Sequence, residues 1–459
     1  MKRQLILMTA AVLLFLSAAC SQKKTASSVR SDILSGGTVN SSGKTEITVG
    51  MPAVNKLVEP AIISFNNSQK DYYIKIIDYS KFVEDDDVNC SKAKKQLQLD
   101  LIKGEAPDII VMNPSDMQAL VRKGVFADMY GLMDDYGGVS REEFIPTALG
   151  SFEVNGQIPA ITPNFDLYTA VAKTKFVGED KENWTIDDVV MAYEQLPDDM
   201  KLLHSQLCDP QEVCSYVTYK LSGKCVDFEN NTCDFRTPVF AEALDFAGRF
   251  GSENAELKYS TDLTSYVGEE FQNEMINDRA LISQIIITSF NQSVAWSVCY
   301  DFGGEAVTFV GYPSEDGRGS VADCRWLYGI SSDTPNKEAA WKFIVYMLKD
   351  KKFQNRMNDE GRGLPLIKSF YDDYLDIPAE DDDSIFFVPE WQADEPISRA
   401  QAEEIRDYIF RTEIDPYFNF DINNMINEEC AAVLNGEKSG SECAELLDSR
   451  VGIYLSERQ

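Results

Sequence analysis

"LDLIKGEAPDIIVMNPSDMQALVRKGVF", residues 99–126, carries a helix end, a strand and a helix start in one passage. Leu97, Leu101 and Ile102 share a helical stripe that Gly104 closes. "APDIIVMN" (106–113) is a continuous apolar run, the pattern of a strand buried on both faces. Met117, Leu120 and Val121 then return at helical spacing. Upstream, "TEITVG" (45–50) alternates like a first strand, and "KLVEPAIISFNN" (56–67) suits a helix face. "YYIKIIDYS" (72–80) is a second β-rich run. Strands and helices alternating in this order predict an α/β fold with a parallel sheet and right-handed crossovers.

Downstream, "NGQIPAITPNFDLYTAVAKTK" (155–175) reads as two short strands meeting in a turn at Pro163-Asn164-Phe165-Asp166. "NWTIDDVVMAYEQL" starts a helix that Thr185 and Asp188 cap. "TPVFAEALDFAGRFG" (237–251) is helical with a glycine stop. "RALISQIIITSF" (279–290), "EAVTFVGYP" (305–313) and "RWLYGISS" (325–332) read as strands. "NKEAAWKFIVYMLKDKKFQNRMNDE" reads as one helix ending at Gly361, followed by the extended, Pro-constrained "GRGLPL".

The 459 residues, 44% hydrophobic, suffice for two domains with sizeable cores. A net charge of −32 excludes a nucleic-acid-binding surface, which needs clustered Lys and Arg. Lys2 and Arg3, then the apolar stretch Leu5 to Leu16, predict a signal peptide over 1–19. "LSAAC" places small residues before Cys20 and resembles a bacterial lipobox, with Ser17 where an aliphatic residue is usual. Cys20 is the expected lipidation site and 20–44 a flexible Ser/Gly-rich tether; cleavage after Ala19 by the ordinary peptidase is the alternative. Cysteines at this density outside the cytoplasm favour disulfides over metal, since no pair has C-x-x-C spacing. Sequence proximity suggests Cys208–Cys214, Cys225–Cys233, Cys299–Cys324 and Cys430–Cys443, with Cys90 left over.

The chain lacks G-x-S-x-G, H-E-x-x-H and P-loop motifs, and its one histidine, His204, reads as a surface or loop residue. No catalytic residue, metal or cofactor is expected. Acidic runs at 84–87 and 380–383 read as solvated loops. Loops after strands instead carry aromatic, amide and charged groups, and in open parallel sheets ligands bind beyond the strands' carboxyl ends. Asn113, Ser115 and Asp116 follow one strand; Thr288, Ser289 and Phe290 follow another; Arg325, Trp326 and Tyr328 open a third. Such mixtures suit neutral sugars, whose C–H faces stack on planar rings while hydroxyls bond amides, carboxylates and guanidinium groups. Asn113 and Asp116 equally suit helix capping.

The order of "LDLIKGEAPDIIVMN", "FEVNGQIPAITPNFDLYTAVAKTKFVG", "AVTFVGYPSEDGRGS", "YGISSDTPNKEAAWKFIVYML" and "GRGLPLIKS" resembles the family 1 extracellular solute-binding proteins of bacterial ABC importers, the group of the maltose-binding protein. The resemblance implies a two-lobed periplasmic-binding-protein-like α/β fold with a hinge of several crossing segments, near 157–163, 302–307 and 368–376. Lobe 1 would comprise 45–157 with 305–370, and lobe 2 would comprise 158–304 with 371–459. Carried over by position, the site loops add Asn164, Phe165, Asp166 and Arg362. The Cys208–Cys233 insertion departs from the family pattern. The expected protein is a monomeric lipoprotein on the extracytoplasmic face of the cell membrane. It would pass a sugar or oligosaccharide to ABC permease subunits. The alternatives are a receptor for a peptide, polyamine or other organic solute, a surface carbohydrate-active enzyme, and a sensor that signals to a receptor kinase.

Overall fold

The computed structural model describes residues 44–52, 58–83, 90–179, 184–198, 200–204, 210–228, 230–251, 274–290, 302–303, 305–315, 319–324, 326–375, 399–412 and 420–457. The signal peptide, Cys20, the tether as far as residue 43 and Arg325 lie outside these residues.

The first sheet has the order β11-β3-β1-β2, from β1 (Thr45–Met51), β2 (Tyr72–Asp78), β3 (Ile109–Met112) and β11 (Leu327–Ile330). β1 pairs in parallel with β2 and β3, and β11 closes the edge antiparallel to β3. Helices α1 (Val58–Ser68), α2 (Ser91–Ile102) and α3 (Pro114–Arg122) are its crossovers and neighbours. All four residues of β3 are buried, as a run of Ile, Ile, Val and Met without alternation requires. Asp108, also buried, bonds the backbone N–H and hydroxyl of Thr48 (both 2.7 Å), the Asn336 amide (3.2 Å) and the Thr334 hydroxyl.

The second sheet is organised around β4 (Asn164–Lys173), ten residues long. Antiparallel to it run β8 (Ala280–Ile287), β9 (Val307–Phe309), β10 (Val321–Asp323) and β12 (Leu364–Pro365), while β5 (Lys201–His204) lies parallel to β8. The expected turn at Pro163–Asp166 is therefore a correction: Asn164, Phe165 and Asp166 are already strand. Two neighbours explain this, because Leu364 and Pro365 pair with Phe165 and Asn164, and Asp323 pairs with Asp166. His204 is also corrected, since it is buried in β5 with Nδ1 3.2 Å from Glu274.

Helices α4 (Ile186–Glu194), α5 (Pro210–Lys224) and α6 (Pro238–Gly248) pack on the second sheet. Thr185 and Asp188 form the capping box expected of them. The single helix expected over 336–360 is two, α7 (Lys337–Lys349) and α8 (Lys351–Asp359). Asp350 breaks it by leaving helical geometry and accepting the Phe353 N–H as the cap of α8. The chain continues through α9 (Arg399–Arg411), α10 (Phe420–Leu434) and α11 (Gly440–Glu457).

Sheet membership differs from the expected lobe boundaries. β9 and β10 belong to the second sheet, so the chain returns to the first between Asp323 and Leu327 rather than near 302–307. Strands this short carry no sheet identity of their own; the long β4 recruits them. Likewise Tyr371, Ile405 and Ile409 pack in the first core, not the second, and Thr147, next to Ala148 of that core, donates to the Phe410 and Thr412 carbonyls (3.0 and 2.7 Å).

The expected cysteine pairing is corrected as well. Cys214 of α5 is bonded to Cys430 of α10, which excludes Cys208–Cys214 and Cys430–Cys443. Cys225 and Cys233 flank the hairpin β6 (Val226–Asp227)–β7 (Thr232–Cys233) as separate thiols. Packing of α5 against α10 decides the bridge, and sequence proximity carries no information about it. Cys208 and Cys299 lie outside the described residues. Burial pushes the thiols of Cys225 and Cys443 up, to about 12 and about 11, so neither is a nucleophile near neutrality. The hairpin packs on the second core yet meets the first: Arg122, at the end of α3, donates to the Phe228 carbonyl (3.2 Å) and the Asn231 side chain.

Candidate ligand cleft

The chain leaves the first sheet at Ile161, which exchanges backbone hydrogen bonds with Tyr328 of β11 (3.0 and 2.8 Å), and enters the second at Asn164. A cleft opens at this crossing. Six residues expected from the sequence line it: Asn164, Phe165, Asp166, Trp326, Tyr328 and Arg362. Thr162, Pro163, Phe353 and Met357 complete the lining. Both sheets therefore contribute walls.

The aromatic groups differ in availability. Phe165 is only 2% exposed and packs in the first core, so it backs the wall, whereas Trp326 is half-buried and offers part of its ring. Tyr328 is buried, and burial pushes its hydroxyl well above the ordinary tyrosine value, keeping it protonated. Arg362 sits on the rim, 42% exposed, bonded to Glu360 at 2.9 Å. Partial burial works against ionised Glu360, but bonds from Arg356 and Arg362 outweigh it and hold the carboxyl below its usual range. Asp166 and its register partner Asp323 are both buried, so two carboxyl groups stand opposite each other on β4 and β10.

The loop carrying Arg362 is fixed to the strand ends. Gly363 donates its N–H to the Thr288 carbonyl at 2.7 Å. It adopts φ +119°, and a Cβ there would lie 2.9 Å from the Asn164 Cβ, so only glycine fits. Asn164 donates through Nδ2 to the Gln354 side-chain oxygen (2.9 Å) and the Gly363 carbonyl (3.3 Å).

The other expected residues take different positions. Asn113 caps α3 by accepting the Asp116 N–H at 2.9 Å, and Asp116 pairs with Lys94 at 2.7 Å. Ser115 lies in α3, but its side chain is outside the described set. Thr288 and Ser289 follow β8 without lining the cleft, and Phe290 is core, its ring 5.0 Å from that of Tyr371. Phe353 and Met357 were not expected; their i, i+4 spacing on a charged helix just before "GRGLPL" is the signal that marks them. Among the described residues no group of His, Cys, Asp and Glu could hold a metal, and no helix is long and apolar enough to cross a membrane.

This two-sheet architecture with a cleft at the crossing is that of a solute receptor. The chain belongs to the bacterial extracellular solute-binding proteins, whose family description matches residues 83–386. Its fold is similar to that of the sugar-binding protein MalE from Xanthomonas citri, at 14% identity and TM-score 0.57, over 90% of this chain and 98% of that one. A family 1 extracellular solute-binding protein from Alicyclobacillus acidocaldarius is similar at 13% identity and TM-score 0.55, over 90% and 98%. The cyclic alpha-maltosyl-1,6-maltose binding protein of Arthrobacter globiformis is similar at 14% identity and TM-score 0.53, over 90% and 100%. No curated protein matches the sequence. Family and neighbours are binding proteins rather than enzymes, and the family's location is extracytoplasmic.

Proposed function

We propose that the chain is the substrate-binding lipoprotein of an ABC importer and takes a sugar or oligosaccharide into the cleft between two lobes, one built on each sheet. The observation that carries this is the lining: Tyr328 of the first sheet with Trp326 just before its strand, Asn164 and Asp166 from the second sheet, and Arg362 at the rim. A pyranose presents an apolar face to such rings and hydroxyls to such polar groups. Groups from two lobes converge only when the lobes close, so binding and closure are one equilibrium. The sugar-binding names of the structural neighbours support the ligand class. Cys20 is the lipid anchor in this reading, with permease subunits as partners.

Thermal-shift screening of residues 21–459 against mono- and oligosaccharides, peptides and polyamines tests the ligand class. Sugars should raise the melting temperature; a rise with amines or peptides alone would replace the sugar assignment. Trp326→Ala should weaken sugar binding by about 1–3 kcal/mol in calorimetry while leaving the fold intact. Metabolic labelling with a fatty-acid analogue should mark the wild type and not Cys20→Ala.

A further inference from the structure

Helix α8 has two functional faces. Phe353 and Met357 face the cleft and pack in the first core. Gln354 and Asn358, at i and i+4, are 0% and 2% exposed. Gln354 donates to the Met347 carbonyl at 2.6 Å and accepts from Asn164, where β4 begins. Asn358 accepts the Phe290 N–H at 2.6 Å, just beyond the end of β8. Two amides on a first-core helix thus hold the cleft ends of the two central strands of the second sheet.

Burying an amide is costly unless it is bonded, and an apolar side chain would fill the same space more cheaply. What Leu or Met would lack is direction: a packed methyl tolerates sliding, whereas a hydrogen bond weakens steeply with distance and angle. The bonds also act on the site. Fixing Asn164 fixes Gly363, and fixing the 288–290 passage fixes the other side of the Arg362 loop.

We propose that Gln354 and Asn358 are positioning residues that set the angle between the two lobes, and through it the width of the cleft, without touching ligand. This rests on the two-lobed receptor reading above. The test is the distance distribution between nitroxides attached through non-canonical ketone side chains at positions 102 and 453. Ile102 and Ile453 are 82% and 61% exposed, on α2 of the first core and α11 of the second. This chemistry spares the native cysteines. Gln354→Met and Asn358→Leu, which keep volume and remove the bonds, should each add a longer-distance component. Asn358→Asp, which keeps the acceptor for Phe290, should restore the wild-type distribution. Unchanged distributions in folded Gln354→Met and Asn358→Leu overturn the proposal, as does failure of Asn358→Asp to rescue. If either apolar variant does not fold, Asn164→Leu removes the strand-side partner of Gln354 and leaves α8 intact. It must show the longer component, and a wild-type distribution there overturns the proposal. The wild type, titrated with the same sugars, peptides and polyamines, judges the receptor reading separately. If no solute shifts its distribution, hinged binding fails while the variants still decide what the amides do.

Discussion

In the first sheet β1 pairs in parallel with β2 and β3 through local strand–helix–strand crossovers, whereas in the second β4 bonds antiparallel to four strands drawn from residues 280–365. The first is held by a buried polar knot at Asp108, the second by a covalent bridge from α5 to α10. The two sheets store long-range order differently. In the first sheet β1, β2 and β3 come from neighbouring segments and only the edge strand β11 joins from far along the chain, while in the second every partner of β4 is distant and the helices packed on the sheet are bridged across 216 residues by Cys214–Cys430.

The largest expected effect is on that bridge. Replacing Cys214 and Cys430 together by Ser should lower stability by roughly 2–5 kcal/mol, because a long loop in the unfolded chain is released. Hydrogen exchange should show the loss in α5, α10 and α11 and spare β1–β3; equal loss in both regions would mean that the bridge supports both sheets alike. Next, Asp108→Ala should cost roughly 2–3 kcal/mol by leaving the Thr48 N–H and its neighbours unsatisfied, with accelerated exchange confined to the first sheet. Thr185→Ala removes one half of a capping box and should lower the denaturation midpoint by about 1 kcal/mol equivalent, in the second region only.

The smallest effect is acid-dependent. Buried Lys173, at the end of β4, bonds Asp278 and Glu305 at 2.7 Å each. Hydrogen bonds from Lys173 and Lys175 hold the Glu305 carboxyl below its usual range; at Asp278 burial acts upward, but the same two lysines outweigh it. A carboxylate depressed on folding stabilises fully above its unfolded value, and the contribution is lost as pH falls through the folded one. Melting temperature should therefore fall from about pH 5 toward about pH 3 more steeply in the wild type than in Lys173→Met. Equal slopes would remove this cluster from the account.

Legibility follows the same division. The buried run at Ile109–Met112, the helices beside it and the capping box at Thr185 are local patterns, and the sequence shows them. The pairing of Cys214 with Cys430, the recruitment of β9 and β10, and the packing of α9 on the first core are contacts between distant segments that periodicity does not encode. Among the residues lining the cleft, Trp326 and Tyr328 stand out in the sequence as aromatics beside a strand, whereas Asn164, Asp166 and Arg362 come only from the family resemblance. Gln354 and Asn358 were legible in neither way, since amides on the helix "KKFQNRMND" look like solvent-facing residues until the strand ends are brought against them.

Strand β4 also has a consequence for how this protein tolerates change. Phe165 and Leu167 point into the first core, while Ala170 and Ala172 belong to the second and Tyr168 packs against it. A single inserted or deleted residue within Asn164–Lys173 would turn every following side chain to the other face. Large residues would then enter a space shaped for alanine, and alanines would leave holes under the sheet. Loops elsewhere can lengthen over evolutionary time, but the length of this strand is fixed by two cores at once.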